Sequence, residues 1–126
     1  MTDLPPYARL LRLRVDDSGD AVRLIMPFHD DVIGRPGFLH GGAIAGLLEF
    51  AAFTALGRAI GDDKVVMKPI TVTVDYLRGG INADTYAEAV IERLGKRIAN
   101  IEVLAWQAER AKPIAGARIN FLLERP

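Results

Sequence analysis

The sequence predicts an α+β fold, a curved antiparallel sheet of about six strands wrapped around one long central helix. The helix is indicated by a nearly uninterrupted apolar stretch, "GGAIAGLLEFAAFTALG", at residues 41–57. The strands are indicated by six segments that alternate apolar and polar residues or are rich in β-branched residues. Two of these segments precede the helix and four follow it, so one apolar helix can cover one face of the sheet.

Each strand is predicted from its own pattern. In "ARLLRLRV" (8–15), leucine and valine alternate with arginine, and after the turn signal "DDSGD" (16–20) the segment 21–27 returns as a hairpin partner. Short turns then separate four further strands. These strands are predicted at residues 69–77, 85–94, 98–109 and 113–124.

The helix has clear limits in the sequence. It is expected to begin near Gly41 and to end near Gly57 or Gly61, because glycine commonly follows the last turn of a helix. Apolar residues cover nearly all of its faces, which predicts burial on nearly every side.

Length and composition limit the class of protein. The 126 residues fit a single domain spanning 1–126, and 50% of them are hydrophobic, which is enough for a sizeable core. Sixteen basic residues balance sixteen acidic ones, so no overall charge favours nucleic acid or an anionic membrane. The absence of cysteine excludes disulfides and thiolate chemistry and fits the cytoplasmic location that we expect.

The helical stretch is also long enough to cross a membrane. A span at residues 41–60 would place Glu49 near the bilayer centre, at a cost of about 2.5–3.5 kcal/mol on insertion scales. The N-terminal "MTDLPPYARLLRL" lacks the pattern of a secretory signal. We therefore expect a buried helix and no membrane partner.

The residues at the predicted helix start can bind an anion. His40, Gly41 and Gly42 stand where backbone N–H groups lack intrahelical partners and where the helix dipole adds partial positive charge. Two glycines allow a carbonyl oxygen to approach the backbone closely, as in an oxyanion hole. The alternative is that the glycines only permit a sharp bend from the loop into the helix.

Glu49 is the only ionisable side chain between residues 40 and 58. A buried, unpaired carboxylate is costly, so Glu49 must face solvent, find a partner or line a cleft. A carboxylate in apolar surroundings is a candidate general base or nucleophile. The alternative is a narrow solvent-facing stripe that Glu49 shares with Ala45, Ala52 and Thr54.

The spacing of Gly41 and Glu49 bears on assembly. Eight residues of helix separate them by about 12 Å, so both cannot touch one carbonyl within one chain. Two antiparallel helices related by a two-fold axis would bring each Gly41 near the Glu49 of the other chain. The spacing therefore predicts a symmetric dimer with two equivalent sites, if both residues act on one carbonyl.

The segments "HGGAIAGLLE", "ITVTVDYLRGG" and the turn "GKR" resemble the hotdog-fold acyl-CoA thioesterases of the phenylacetate-degradation (PaaI-like) group. The resemblance covers about residues 8–123 and implies hydrolysis of an acyl-CoA thioester by a homo-oligomer. We expect no metal or other cofactor, because two histidines in a glycine-rich loop are weak evidence for a metal site. It implies that the Gly41 amide polarises the thioester carbonyl. It further implies that Glu49 of the other subunit attacks that carbonyl or activates water. His40 would lie beside the thioester, or it would only stabilise the turn.

The resemblance also suggests contacts with the substrate. Basic side chains near the turns after the third and fourth strands would meet the phosphates of CoA, although each could equally be ordinary solvated charge. Further candidates for contact with the substrate are Gly42, Gly34 and Phe53. The basic candidates are Arg78, Lys96 and Arg97, with Arg93 close to them.

Three positions depart from the family pattern, one of them near Met67, where other members have Ser. Gly34 stands where many members have Asn or Gln, and Phe53 stands where some have Ser or Thr. These departures favour one alternative function, a non-catalytic hotdog module that binds acyl-CoA. A second alternative is a hotdog acyl-thioester hydratase or dehydratase. The sequence leaves open the acyl group and whether dimers pair into tetramers.

Overall fold

The computed structural model describes residues 4–126 and has the predicted α+β architecture. The elements in chain order are α1 (Pro6–Leu10), β1 (Arg14–Asp16), β2 (Arg23–Met26), a 3₁₀ turn (Asp30–Val32), α2 (Gly41–Ile60), β3 (Val66–Tyr76), β4 (Thr85–Leu94), β5 (Ile98–Trp106) and β6 (Ala115–Glu124). The six strands form one antiparallel sheet in the order β1-β2-β4-β5-β6-β3. Helix α2 packs against this sheet, mainly on β4, β5 and β6.

Helix α2 has the limits that the sequence predicts. It begins at Gly41 and ends at Ile60, where Gly61 adopts a left-handed conformation (φ 69°) and donates its N–H to the carbonyl of Gly57. The residues that face the sheet recur three or four positions apart. They are Ala43, Ile44, Leu47, Leu48, Ala51, Ala52 and Leu56, and all are buried.

The prediction that α2 is buried on nearly every side is wrong. The sheet covers only one side, and the opposite side is half-buried or exposed at Gly42, Ala45, Gly46, Glu49, Phe50 and Phe53, which we call the open face. By length and composition α2 could still cross a membrane. In the structure, however, its large aliphatic side chains form the core with the sheet.

The predicted strand at residues 8–15 is also wrong over most of its length. Pro6 occupies the first turn of a short helix, where its fixed φ suits the backbone and its missing N–H costs nothing. Ala8 and Leu11 are both buried, which is helical spacing rather than the alternation of a strand. Arg12 then adopts a positive φ of 57° and turns the chain into β1.

The turn predicted between β1 and β2 is present. The Ser18 hydroxyl and the Ser18 N–H donate to the carboxylate of Asp16 at 2.6 Å and 3.0 Å. These two bonds, the hydroxyl first, hold the pKa of Asp16 below its ordinary value.

Candidate active site

His40 forms the N-cap of α2, with an extended backbone (φ −68°, ψ 132°). Its Nδ1 accepts a hydrogen bond from the Gly42 N–H at 2.9 Å, and its carbonyl accepts from Ala43 and Ile44. The Gly41 N–H is the one amide of this turn without a hydrogen-bond partner among residues 4–126. It is half-buried and lies at the positive end of the helix dipole, so it can donate to a carbonyl oxygen.

Two tyrosine hydroxyls donate to carbonyl groups of the first helical turn. Tyr76, the last residue of β3, donates its hydroxyl to the Gly41 carbonyl at 2.8 Å. Tyr7, in α1, donates its hydroxyl to the Gly42 carbonyl at 3.1 Å. The Tyr76 ring lies so close to Gly41 that a Cβ there would meet it at 3.4–3.5 Å.

The loop before the turn explains the glycine at position 34. Phe38 donates its N–H to the carbonyl of Arg35 at 3.0 Å, with Gly37 at φ 87°, which is a type II turn with Pro36 at its second position. Gly34 donates to the carbonyl of Phe38 at 2.9 Å, and a Cβ on Gly34 would lie 3.0 Å from the Cα of the N-cap residue. An Asn or Gln side chain therefore cannot stand here unless the backbone moves.

A cleft of about 310 Å³ lies beside Gly41, between this loop and the end of β3. Its walls are mostly apolar, and its lining residues are Arg35, Phe38, Leu39, Gly41, Ile44, Tyr76, Leu77, Arg78, Gly79 and Gly80. Neither guanidinium in the cleft forms an ion pair within residues 4–126. Arg78, which the sequence predicts as a candidate, therefore lines the same cleft as Arg35, which was not predicted from the sequence.

Glu49 lies two helical turns beyond the N-cap, on the open face of α2. It is half-buried and forms no ion pair with any described residue. The alternative solvent stripe does not form as expected, because Ala52 is fully buried in the core. The neighbours of Glu49 along the open face are instead Ala45 and Phe53, one turn away on either side, and Phe53 is 37% exposed.

The remaining basic candidates lie at the other end of the sheet. Lys96 and Arg97 form the turn between β4 and β5, whereas the cleft at Gly41 adjoins the end of β3. The nine residues of β5 separate the two ends by about 30 Å. A wider cleft near Phe53, of about 900 Å³, also lies at this second end, beside Val66 and Met67. Within one chain, the predicted site residues are therefore not all brought together.

The fold and this site define a hotdog protein with a candidate oxyanion donor at the start of its central helix. Residues 36–114 match the family model of the Thioesterase superfamily. The chain belongs to this superfamily, and thioester hydrolysis is the general activity that its membership supports.

Several proteins of known structure are similar to this chain in fold. A protein from Chromobacterium violaceum is 33% identical, with a TM-score of 0.78, over 94% of this chain and 83% of that one. A Bacillus halodurans protein crystallised with CoA has a TM-score of 0.89 at 20% identity, over 100% of this chain and 83% of that one. A phenylacetic acid degradation-related protein from Ralstonia eutropha has a TM-score of 0.83 at 18% identity, over 96% of this chain and 92% of that one. The last two identities show a shared fold alone.

No curated protein matches the chain significantly by sequence. The family match nevertheless confirms the resemblance to hotdog thioesterases that the sequence predicts, and the structural neighbours share the fold.

Proposed function

We propose that the protein hydrolyses an acyl-CoA thioester to the free acid and CoA, at sites shared between two subunits. The observation that carries this proposal is the Gly41 N–H, which has no hydrogen-bond partner in the described part of the chain and lies beside a largely apolar cleft. When a thioester carbonyl is attacked, its oxygen gains negative charge, and an amide at a helix N-terminus can donate to that oxygen. The Gly42 N–H is already bonded to His40, so Gly41 is the donor available in this turn.

The CoA part of the proposal is supported by the basic side chains at the two ends of the sheet. Guanidinium groups bind phosphate oxygens in a two-pronged geometry, and Arg35 and Arg78 both line the cleft at Gly41. Lys96 and Arg97 offer further positive charge at the opposite end. The Bacillus halodurans protein of the same fold was crystallised with CoA.

The shared site is supported by the position of Glu49. Gly41 and Glu49 lie on one continuous helix, so about 12 Å separates them along its axis in every copy of the chain. Glu49 lies on the open face, where Ala45, one turn nearer to Gly41, has only a methyl side chain to face a second helix. Two antiparallel copies of α2, packed through these faces, would bring the Glu49 of each chain to the Gly41 of the other.

Strand β3 supports the same dimer. Within residues 4–126 it pairs only with β6, so its other edge, eleven residues long, has backbone groups that no described strand pairs with. Apolar side chains are exposed along it, including Ile70 (54%) and Val72 (42%). A second copy of β3 along this edge would continue the sheet and set the two α2 helices side by side. The same pairing would bring Lys96 and Arg97 of one chain towards the Gly41 end of the other.

In this site the chemistry needs two protein groups. As a general base, Glu49 takes a proton from water while the water oxygen bonds to the thioester carbon, and the Gly41 N–H stabilises the resulting oxyanion. The C–S bond then breaks, and CoA leaves as the thiol with the proton that Glu49 returns. Direct attack by the carboxylate, followed by hydrolysis of the mixed anhydride, requires the same two groups.

The test is thiol release from a panel of aryl-acyl, short-chain and medium-chain CoA thioesters, each paired with its N-acetylcysteamine thioester, which lacks the nucleotide. We expect release of CoA from at least one acyl-CoA and a higher KM for the paired analogue. Binding of acyl-CoA without thiol release would indicate the non-catalytic module. A change in enoyl absorbance without thiol release would indicate the hydratase or dehydratase.

A further inference from the structure

We propose that His40 and Tyr76 are positioning residues that clamp the Gly41–Gly42 peptide and thereby hold the Gly41 N–H in its donating orientation. The inference rests on the proposed function, because it assigns these residues to the oxyanion donor of that site. It gives His40 a role that acts through the backbone rather than on the substrate.

The clamp consists of two hydrogen bonds to one peptide group. The carbonyl of this peptide, which belongs to Gly41, accepts from the Tyr76 hydroxyl at 2.8 Å. Its N–H, which belongs to Gly42, donates to Nδ1 of His40 at 2.9 Å. Side chains from β3 and from the N-cap position therefore hold both ends of the same peptide plane.

Such a clamp is needed because two glycines begin the helix. Glycine has no Cβ to restrict its torsions, and amides in the first turn have no intrahelical acceptor to hold them. The donor N–H of Gly41 is joined to the clamped peptide through a single Cα, against which the Tyr76 ring packs. On the other side, His40 donates its N–H to the carbonyl of Val32 at 2.8 Å. The donating N–H is thus fixed between two held peptide groups.

The same geometry limits what His40 can do chemically. Its Nδ1 accepts the Gly42 N–H, so that nitrogen carries no proton in this arrangement. A proton on Nδ1 would break the bond that orients the turn. Proton transfer to and from the reacting groups is therefore assigned to Glu49.

Tyr7 provides a matched control for Tyr76. Its hydroxyl donates to the carbonyl of Gly42, the next one along the helix, at 3.1 Å. Its bond holds a different peptide, and Tyr7 is absent from the lining of the cleft at Gly41. A substitution of Tyr7 by Phe therefore removes the same kind of bond without loosening the proposed clamp.

The test compares the full-length Tyr76→Phe, Tyr7→Phe, His40→Ala and His40→Asn chains in thiol release. We expect Tyr76→Phe to lower kcat about tenfold at nearly unchanged KM. A displaced donor weakens stabilisation of the transition state more than it weakens substrate binding. Tyr7→Phe should stay within about twofold of wild type. His40→Ala should also lose kcat, and His40→Asn should recover most of it, since Asn is a good N-cap acceptor.

Amide hydrogen exchange of Gly42 gives a second readout that does not depend on activity. Exchange should be faster in Tyr76→Phe and His40→Ala than in wild type, and unchanged in Tyr7→Phe. Equal kcat for Tyr76→Phe and Tyr7→Phe would overturn the clamp, as would a His40→Asn chain no better than His40→Ala. If wild type releases no thiol from any thioester, the proposed function fails, and Gly42 exchange alone decides on the clamp: unchanged exchange overturns it.

Discussion

Glu49 and Gly41 supply the proposed chemistry through different kinds of group, a side-chain carboxylate and a backbone N–H. The carboxylate lies on the open face of α2 and the N–H lies at the helix start. Among the described residues, the carboxylate has no ion-pair partner and the N–H has no acceptor. Each can be removed by a single substitution, Glu49→Gln for the carboxylate and Gly41→Pro for the N–H. The two substitutions therefore test the two roles separately.

For the carboxylate, Glu49→Gln keeps size and hydrogen bonding but removes the base. We expect kcat for thiol release to fall by about 10²–10⁴-fold, as is typical for loss of a positioned acid–base group. Glu49→Asp should retain some activity, because the carboxylate survives at a shorter reach. Steady-state kinetics on a substrate that wild type hydrolyses makes the comparison, with circular dichroism as the check on folding. Near-equal rates for wild type and Glu49→Gln would mean that Glu49 is structural.

For the amide, Gly41→Pro removes the N–H at a helix position that proline tolerates. Proline suits the first turn of a helix, and His40 already has the extended backbone that must precede it. Gly41→Ala is the control, since its Cβ meets Tyr76 at the same 3.4 Å but the N–H remains. We expect kcat to fall about 10²–10³-fold for the proline chain and far less for the alanine chain. Equal losses of kcat in the two chains would show that crowding against Tyr76, and not loss of the N–H donor, causes the effect.

Some of these residues could be found from the sequence and others could not. Glu49 has a local signal, an isolated acid in an apolar helix, and Gly41 belongs to a glycine pair at a helix start. Arg35 has no such signal, because only the type II turn brings it to the cleft at Gly41. The sequence offers Tyr76 as a possible pocket residue, but its bond to the Gly41 carbonyl depends on where β3 ends. That His40 caps the helix also needed the structure, which shows where its Nδ1 points.

At the scale of elements, α1 covers part of the open face of α2, and the glycines of this helix differ accordingly. A Cβ at Gly46 would lie 2.7 Å from the Tyr7 ring and 2.9 Å from Leu11, so α1 packs directly on the helix backbone there. A Cβ at Gly57 would meet only Met67, at 3.4 Å. The glycine at position 46 is therefore required by packing, and the one at position 57 is not.

This difference predicts opposite results for two alanine substitutions in the same helix. Gly57→Ala should raise the free energy of unfolding by about 0.5–1 kcal/mol, because alanine has the higher helix propensity. Gly46→Ala has the same propensity gain but forces Tyr7 and Leu11 to move, so it should be less stable than Gly57→Ala. Urea unfolding of both chains measures the difference. A Gly46→Ala chain as stable as Gly57→Ala would show that α1 does not pack there.

The elements that the sequence predicted well are those with long, regular patterns. Strand β4 has the predicted bounds, and the start and end of α2 follow from glycines that the fold uses as expected. The segment at 8–15 was wrongly predicted to be a strand, because its alternation of leucine and arginine competes with Pro6, which favours a helical turn. The open face of α2 was missed because an apolar surface that the sheet leaves uncovered has the same composition as a core.

At the scale of the whole molecule, one chain holds the parts of the site at opposite ends. The cleft at Gly41 adjoins the end of β3, while Phe53, Lys96 and Arg97 lie towards the other end. The unpaired edge of β3 and the open face of α2 both favour a second copy running in the opposite direction. A clean monomer in sedimentation at micromolar concentration would contradict this arrangement.

The most direct test of the shared site is recovery of activity in mixed dimers of Glu49→Gln and Gly41→Pro chains. In a mixed dimer, one site lacks both groups, and the other has an intact Gly41 N–H from one chain and an intact Glu49 from the other. With equal amounts mixed at random, about half of the dimers are mixed, so about a quarter of the wild-type sites are intact.

A shared site predicts thiol release by the mixture at about a quarter of the wild-type rate, well above either parent chain alone. Mixed dimers are verified by co-purification on a tag that only one chain carries. Thiol release no higher than the mean of the two parents, with mixed dimers present, would contradict a site built from Gly41 of one subunit and Glu49 of the other.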